Sequence, residues 1–296
     1  MFRDEFFSKQ EQILAVVVIY EPCIEDVVEN INSFIKSVGR LLVWQNSKLS
    51  SADQEYLLKS TDKEKIEMVG DGENVGIPIA LNFAVRYAKQ KGYEYLLTMD
   101  QDSRWVDFST YVHLVFEKED NNAIYGPTVV SVDDSELLAK DNQEVFKSVK
   151  FVITSGSLIP LQVMDKTGLF QDSYFIDAVD EEFCYRARSH GVKILQVNRG
   201  ILEQHFGKHT RVRFFSRNII VQNYTPFRYY YIVRNHLWLI RSGMVPEDDV
   251  RAIKHNYIYM PFIKVLLFED NKIKKIKRIV YGYVDGVRGL RIHEWK

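Results

Sequence analysis

The chain has 296 residues, with 39 Lys and Arg against 40 Asp and Glu, 46% apolar residues and 27% charged residues. These proportions are those of an ordinary soluble globular chain with room for one large domain and an appendage, or for two small domains, and they exclude a disordered chain. Two cysteines, Cys23 and Cys184, are too few for a disulfide framework and suit a reducing cytosol. The start, Met1-Phe2-Arg3-Asp4-Glu5, lacks the plan of a signal peptide. No apolar run approaches the ~20 residues a membrane helix needs. The expectation is a cytoplasmic protein. Charge is uneven along the chain: residues 251–296 hold eleven Lys and Arg against four Asp and Glu. Such a basic tail is expected to face something anionic.

Ile13–Tyr20 is a continuous, β-branched apolar run, the pattern of a central parallel strand buried on both faces. Residues 24–37 show helical spacing at Val27, Val28, Ile31, Phe34 and Ile35. A second strand covers Leu41–Trp44 and stops at Gln45-Asn46-Ser47. A polar helical stretch follows, then a third strand at Ile66–Val69. The loop Gly70–Gly76 leads into a helix over 77–91, and a fourth strand covers residues 95–99. Further on, residues 108–118 read as helix and 123–127 as strand and turn. Residues 132–148 read as a mobile loop, Val149–Pro160 as strand, 180–190 as helix and 192–197 as strand. From about Phe227 the chain reads as long aromatic and basic helices.

Strands alternating with helices at this spacing imply an α/β domain with a mainly parallel sheet. Ligands of such sheets bind beyond the carboxyl ends of the strands. Tyr20, Gln45-Asn46, the Gly70–Gly76 loop and Asp100-Gln101-Asp102 all stand at those ends. Two carboxylates where an apolar strand stops suit a hard divalent cation shared with a substrate's phosphates. The plain structural alternative is a polar strand end. The loop Gly70-x-Gly72-x-x-x-Gly76 has its last glycine one residue late for a dinucleotide fingerprint and follows the third strand, not the first. Asp177 to Glu182 holds four carboxylates in six positions. This is either an acidic first helical turn favoured by the macrodipole, or the place of a general base. His205, after a strand, is a plausible third ligand for Mn²⁺ or Mg²⁺.

The motifs in their order resemble the inverting glycosyltransferases of family two, within them the rhamnosyltransferase branch. The residues that carry this are Asn74–Asn82, Leu97–Ser103, Thr154–Ser157, Phe175–Arg186, His205-Phe206-Gly207 and Arg228–Asn235. The resemblance runs from about Leu14 to Val287. It implies a GT-A fold: a Rossmann-like, mainly parallel mixed sheet flanked by helices, with a C-terminal helical extension. The catalytic domain is expected over 1–215 and an aromatic, basic helical region over 216–296. The resemblance makes Asp100, Asp102 and His205 the metal ligands, with Mn²⁺ or Mg²⁺ as cofactor, and Asp180 the catalytic base. Tyr20, Gln45 and Asn46 would hold base and ribose, although an aspartate is usual where Gln45 stands. Asn74, Gly76, Asn82, Gln101, Glu182 and Thr154-Ser155-Gly156 fall in the binding motifs. Arg228, Arg234 and His236 would serve the acceptor or the diphosphate.

The implied reaction moves a sugar from a nucleotide-sugar donor, dTDP-rhamnose first, to a saccharide or lipid-linked acceptor in cell-surface polysaccharide synthesis. Other UDP- or dTDP-sugars stand behind it. Two different classes remain as alternatives. One is a phosphatase of the haloacid dehalogenase type, in which Asp-x-Asp ends the first strand. The other is an inactive sugar-nucleotide-binding relative. No nucleic-acid partner is expected. Near the end, Ile273, Ile276, Val280, Tyr283, Val287 and Leu290 recur at helical spacing with Lys and Arg between them. That pattern reads either as a membrane-surface helix at the inner face of the cell membrane or as an ordinary capping helix.

Overall fold

Strand β1 (Ile13–Ile19) has no polar residue, and all but one of its side chains are buried. A strand of this kind needs a neighbour on each side and cover on each face. In the computed structural model, which describes residues 7–131, 144–204, 210–214 and 217–289, β1 pairs in parallel with β2 (Arg40–Gln45) and with β4 (Tyr95–Asp100). Strand β3 (Ile66–Val69) continues the parallel part beyond β2. The remaining strands are β5 (Ser103–Trp105), β6 (Ala123–Ser131), β7 (Phe146–Ser148), β8 (Ser157–Pro160) and β9 (Lys193–Gln204). The sheet order is β3-β2-β1-β4-β8-β6-β9-β5, with β7 on β9. The expected mixed α/β sheet is thus present, its β3-β2-β1-β4 part wholly parallel.

Helices follow the early strands. They are α1 (Ile24–Asn32), α2 (Ser51–Ser60), α3 (Ile77–Lys91) and α4 (Phe108–Lys118). Helix α3 shows why the local sequence works. Gly76, at φ +84°, turns the chain into it, Pro78 is tolerated in the first turn, and Gly92, at φ +79°, ends it. Its buried face is Ala80, Leu81, Ala84, Val85 and Ala88, the spacing expected. Short α5 (Val163–Thr167) and helix α6 (Val179–Ser189) precede β9.

Three expectations need correction. The helix over 24–37 stops at Asn32, and Ile35–Ser37 form a separate 3₁₀ turn. The Ser33 hydroxyl donates to the Asn30 carbonyl, and Phe34 leaves helical backbone at φ −139°. The strand over 149–160 is real only at Ser157–Pro160, because Gly156 turns the chain at φ +79° just before it. Inside the stretch read as a mobile loop, Phe146–Ser148 pair antiparallel with β9, while residues 132–143 lie outside the described residues.

The chain divides into two compact units. The first comprises residues 1–170 and 183–205, the second residues 171–182 and 206–296. The first contains the sheet and a core built on β1, β2, α1 and α4, including Val17, Val43, Ile31 and Tyr111. The second contains the hairpin β10 (Thr210–Phe214) and β11 (Arg217–Val221), then α7 (Pro226–Arg241), α8 (Glu247–Ile253), a π-helical stretch (Lys254–Tyr259), α9 (Met260–Phe268) and α10 (Lys272–Arg288). Its own core holds Tyr229, Ile232, Val233, Leu237, Ile258, Val265 and Ile279. Thr225 caps α7 by accepting from the Arg228 amide, and Pro226 opens the helix.

Candidate active site

In the first unit, the chain runs β1 to β2 to β3 and then crosses back to place β4 on the other side of β1. The crevice between β1 and β4 is therefore the topological switch point of the sheet, where open α/β sheets bind ligands. Tyr20 follows β1 there, and Asp100 ends β4 opposite Val18. Gln101 and Asp102 form a turn into β5, so the two aspartates share a strand end and a turn.

The pair is held from several directions. The Asp100 amide donates to Ser155 Oγ at 3.1 Å, and Ser155 Oγ donates to Ser103 Oγ at 2.8 Å. Asn30 Nδ2 donates to the Asp100 carbonyl at 2.6 Å. Gln204 Nε2 donates to Asp100 Oδ2 at 3.2 Å, which orients that carboxylate. Gln101 clasps Tyr20: its Oε1 accepts from the Tyr20 amide at 2.7 Å and its Nε2 donates to the Tyr20 carbonyl at 3.1 Å. That clasp pins the ends of β1 and β4 together and leaves the half-exposed Tyr20 ring standing outward.

The neighbouring loops are tied in the same way. Asn46, buried, accepts from Trp44 Nε1 at 2.9 Å and donates to the Gly76 carbonyl at 3.3 Å, linking the β2 end to the loop before α3. Asn74 Oδ1 accepts from the Gly76 amide at 3.2 Å. Gln45 Oε1 accepts from the Leu49 amide at 3.2 Å. Thr154 and Gly156 meet β4 through Thr98, whose hydroxyl donates to the Thr154 carbonyl and whose carbonyl accepts from the Gly156 amide. The structure therefore brings Tyr20, Gln45, Asn46, Asn74, Gly76, Asp100, Gln101, Asp102 and Thr154–Gly156 to one end of the sheet. Further expected binding residues turn out to be enclosed, as Asn46 is. Ser155 is fully buried beneath Asp100, and Asn82 is buried in a two-way bond with the Phe170 backbone at 2.8 and 2.9 Å. Both act in the scaffold.

Among the described residues, no group of three or more His, Cys, Asp or Glu could hold an ion by itself. His205 lies outside the described residues. Two hard carboxylates at an open strand end fit Mg²⁺ or Mn²⁺, which keep places for water and phosphate oxygens. They do not fit a closed structural metal cage.

In the second unit, the acidic stretch sits on an unusual loop. Phe175, Asp177 and Ala178 all have left-handed backbone, at φ +60°, +62° and +57°. Non-glycine residues hold this conformation at a cost of about 1 kcal/mol or more each, so surrounding contacts must enforce it. They come from α7. Asn235 Nδ2 lies 2.8, 2.7 and 2.8 Å from the carbonyl oxygens of Tyr174, Ile176 and Asp177, its two N–H bonds shared among three acceptors. Arg234 Nη2 donates to the Ser173 carbonyl at 2.6 Å and to Asn235 Oδ1 at 2.7 Å. Arg228 grips the Asp177 carboxylate, with Nη2 3.0 Å from Oδ1. Phe175 stacks on Tyr231.

Arg234 is 0% exposed, so it is a buried clamp and not a group that meets a ligand at the surface. The rings of Tyr231 and Trp238 lie 4.6 and 4.3 Å from its guanidinium carbon. Burial lowers its pKa, and these π faces offset part of the desolvation.

Asp180 opens α6, and its carboxylate accepts from the Glu181 amide at 2.9 Å. The residue keeps part of its surface accessible, but the packing around its carboxyl is dense. Burial, with the Glu181 charge adding to it, pushes Asp180 up to about 6. Glu181 is itself buried: Tyr257 donates to its Oε1 at 2.8 Å. His236 Nε2 lies 3.1 Å from Glu181 Oε2, close enough for an ion pair but not aligned as a hydrogen bond. Glu182 is buried as well. The sequence pointed to His236 but not to Glu181, Asn235 or Tyr257. Their partners lie 55 to 76 positions away or are backbone carbonyls, and no spacing rule reports either.

No family model matches the chain. Over 94% of its length it is 28% identical to dTDP-rhamnosyl transferase RfbF of Shigella flexneri, covering 96% of that protein. Among solved structures, GalNAc-T7 with UDP, GalNAc and Mn²⁺ superposes with a TM-score of 0.59 at 12% identity over 94% of this chain; the chain spans 56% of GalNAc-T7. The mannosyltransferase PcManGT of Pyrobaculum calidifontis, in complex with GDP-Man and Mn²⁺, gives 0.57 at 11% identity, covering 95% of this chain and 76% of that one. Residues 1–349 of TarS from S. aureus give 0.55 at 14% identity, covering 93% and 80%. The sheet and its flanking helices share the GT-A fold of these solved structures, and over nearly its whole length the sequence is similar to a dTDP-rhamnosyl transferase.

Proposed function

We propose that the protein transfers L-rhamnose from dTDP-rhamnose, with inversion, to a hydroxyl of a saccharide or lipid-linked saccharide during cell-surface polysaccharide synthesis. The observation that carries this reading is the Asp100–Asp102 turn at the sheet's switch point, fixed by Ser155, Asn30 and Gln204. The donor choice rests on the relative that carries dTDP-rhamnosyl in its name. A lipid-linked acceptor would bring the protein to the inner face of the cell membrane through its C-terminal region.

Asp100 and Asp102 would hold Mn²⁺ or Mg²⁺ with His205 as a third ligand. That ion, when bound, supplies positive charge to the diphosphate as it leaves. Tyr20, with Gln45 and Asn46 at the β2 end, would face the base and ribose. Asp180 takes the proton from the acceptor hydroxyl. The hydroxyl oxygen forms its bond to the anomeric carbon as the bond from that carbon to the diphosphate oxygen breaks, and the electron pair leaves with the diphosphate. A base pushed up to about 6 is ionised at neutral pH yet still basic enough to accept this proton. Arg228 and Asn235 hold the loop that leads to Asp180.

Thermal-shift titration of nucleotide sugars with Mn²⁺ or Mg²⁺ tests the reading. The expected result is stabilisation by thymidine or uridine diphosphate sugars, greatest with dTDP-rhamnose and dependent on the metal. A larger uridine response would move the donor to a UDP-sugar. Preference for guanosine or cytidine donors overturns the assignment.

A further inference from the structure

Helix α10 leaves most of the apolar stripe that its sequence displays uncovered, with Ile276 half-buried against the core. It packs on α7 through another face, made of Lys275, Ile279, Gly282 and Gly286. The glycines are required for that approach. A Cβ on Gly282 would stand 2.5 Å from the Tyr230 carbonyl oxygen, and one on Gly286 would stand 2.7 Å from Leu237 Cβ. Lys275 turns inward with them and donates to Glu269 at 2.7 Å. The stripe itself lies on another side: Ile273 is 85% exposed, and Val280, Tyr283 and Val287 are exposed as well. Helix α9, which packs on α10 within the same unit, repeats the pattern. Pro261 and Val265 are buried, whereas Phe262, Ile263, Leu266 and Leu267 are exposed.

Cations border this apolar surface. At 100° per residue, Lys277 and Arg288 fall along one edge of the α10 stripe, Lys274 beyond them and Lys272 along the other edge. Lys272, Lys274, Lys277 and Arg288 are all exposed. The one acidic residue within 272–288 is Asp285. It is buried, and its carboxylate accepts from the Tyr230 hydroxyl at 2.7 Å. A second copy docked stripe to stripe would therefore set cations against cations with no counter-charge from this helix. An anionic lipid surface offers both what the stripe and what its edges need. Among the described residues no helix is long and apolar enough to cross a membrane, which leaves a position in the interface plane.

We propose that the exposed apolar faces of α9 and α10, with Lys272, Lys274, Lys277 and Arg288, form an interfacial surface that seats the protein on an anionic bilayer. Flotation of the full chain with vesicles tests it without a donor or turnover, so its outcome is independent of the transferase reading. The vesicles are phosphatidylcholine alone and phosphatidylcholine mixed with phosphatidylglycerol. The protein is expected to float with the mixed vesicles at low salt and much less at high salt or with neutral vesicles. Lys274→Gln with Lys277→Gln should lower partitioning about fivefold per charge, on the order of 25-fold together. Leu266→Ser with Leu267→Ser should lower it at least about tenfold. Both pairs are exposed, so circular dichroism should report an intact fold. No flotation with either vesicle overturns the proposal. So does binding that ignores lipid charge and both variant pairs, or a concentration-dependent dimer that the same variants disperse.

Discussion

The side-chain amide of Asn235 lies 2.8 Å from the backbone carbonyl oxygen of Asp177, 58 residues earlier in the chain. It shares its donors with the carbonyls of Tyr174 and Ile176, so one side chain holds three peptide groups of a left-handed loop. Asn235→Ala leaves these acceptors without their donor and is expected to cost about 2–4 kcal/mol of stability. Urea denaturation reads that loss. In the folded fraction, turnover should fall while the affinity for donor, read by titration, stays near wild type. Equal loss in both would show that Asn235 acts on the whole fold and not on the loop leading to Asp180.

The raised Asp180 carboxyl predicts a pH profile. In its proposed role as general base it must be ionised, so kcat/KM should climb with pH and level off above about 6. Burial is the larger cause and the Glu181 charge the second. Glu181→Gln should therefore move the acid limb to lower pH without abolishing it. Stability runs the other way. A carboxyl raised in the fold from 3.8 to about 6 favours the native state at low pH, and that contribution is lost as pH rises through this window. Asp180→Asn should flatten this part of the stability curve.

Metal dependence has a readout apart from turnover. Asp102→Asn and Asp100→Asn are expected to abolish the Mn²⁺-dependent part of donor-induced thermal stabilisation and to leave the melting temperature without ligand within a few degrees of wild type. A chelator should do the same to the unaltered protein. Stabilisation by donor that survives both changes would remove the metal role from this pair.

Glycine at 282 predicts an inverted helix effect. In an exposed helix interior, Gly→Ala stabilises by about 1 kcal/mol. Here the added methyl meets the Tyr230 carbonyl oxygen at 2.5 Å, so Gly282→Ala should destabilise by about 1–3 kcal/mol. A higher melting temperature for this variant would mean that α10 does not sit against α7 as described.

Much of the first unit was legible because its signals are local. β1 is a pure apolar run, α3 carries a 3.6-residue stripe between two glycines, and β4 stops at an aspartate. The convergence of Tyr20, Asn46, Asn74 and Asp100 followed from the carboxyl-end rule for parallel strands. The three-residue strands β5 and β7 were not legible, since such short segments carry no periodicity and exist through pairing with β9. Arg234 and Asn82 read as binding groups because polar residues in a motif suggest a ligand. Each instead meets a distant backbone carbonyl. In α10 the apolar period marks a face left largely exposed, and the face that packs on α7 was not legible, because glycines and a paired lysine make much of it and hydrophobicity does not reveal them.

Release of nucleoside diphosphate from dTDP-rhamnose, followed with Mn²⁺ and a panel of saccharide acceptors, compares the unaltered protein with Asp180→Asn. Acceptor-dependent release by the unaltered protein, reduced at least about 100-fold in Asp180→Asn while donor affinity is retained, is the expected result. Equal release by the two proteins would contradict the assignment of Asp180 as the base that completes sugar transfer.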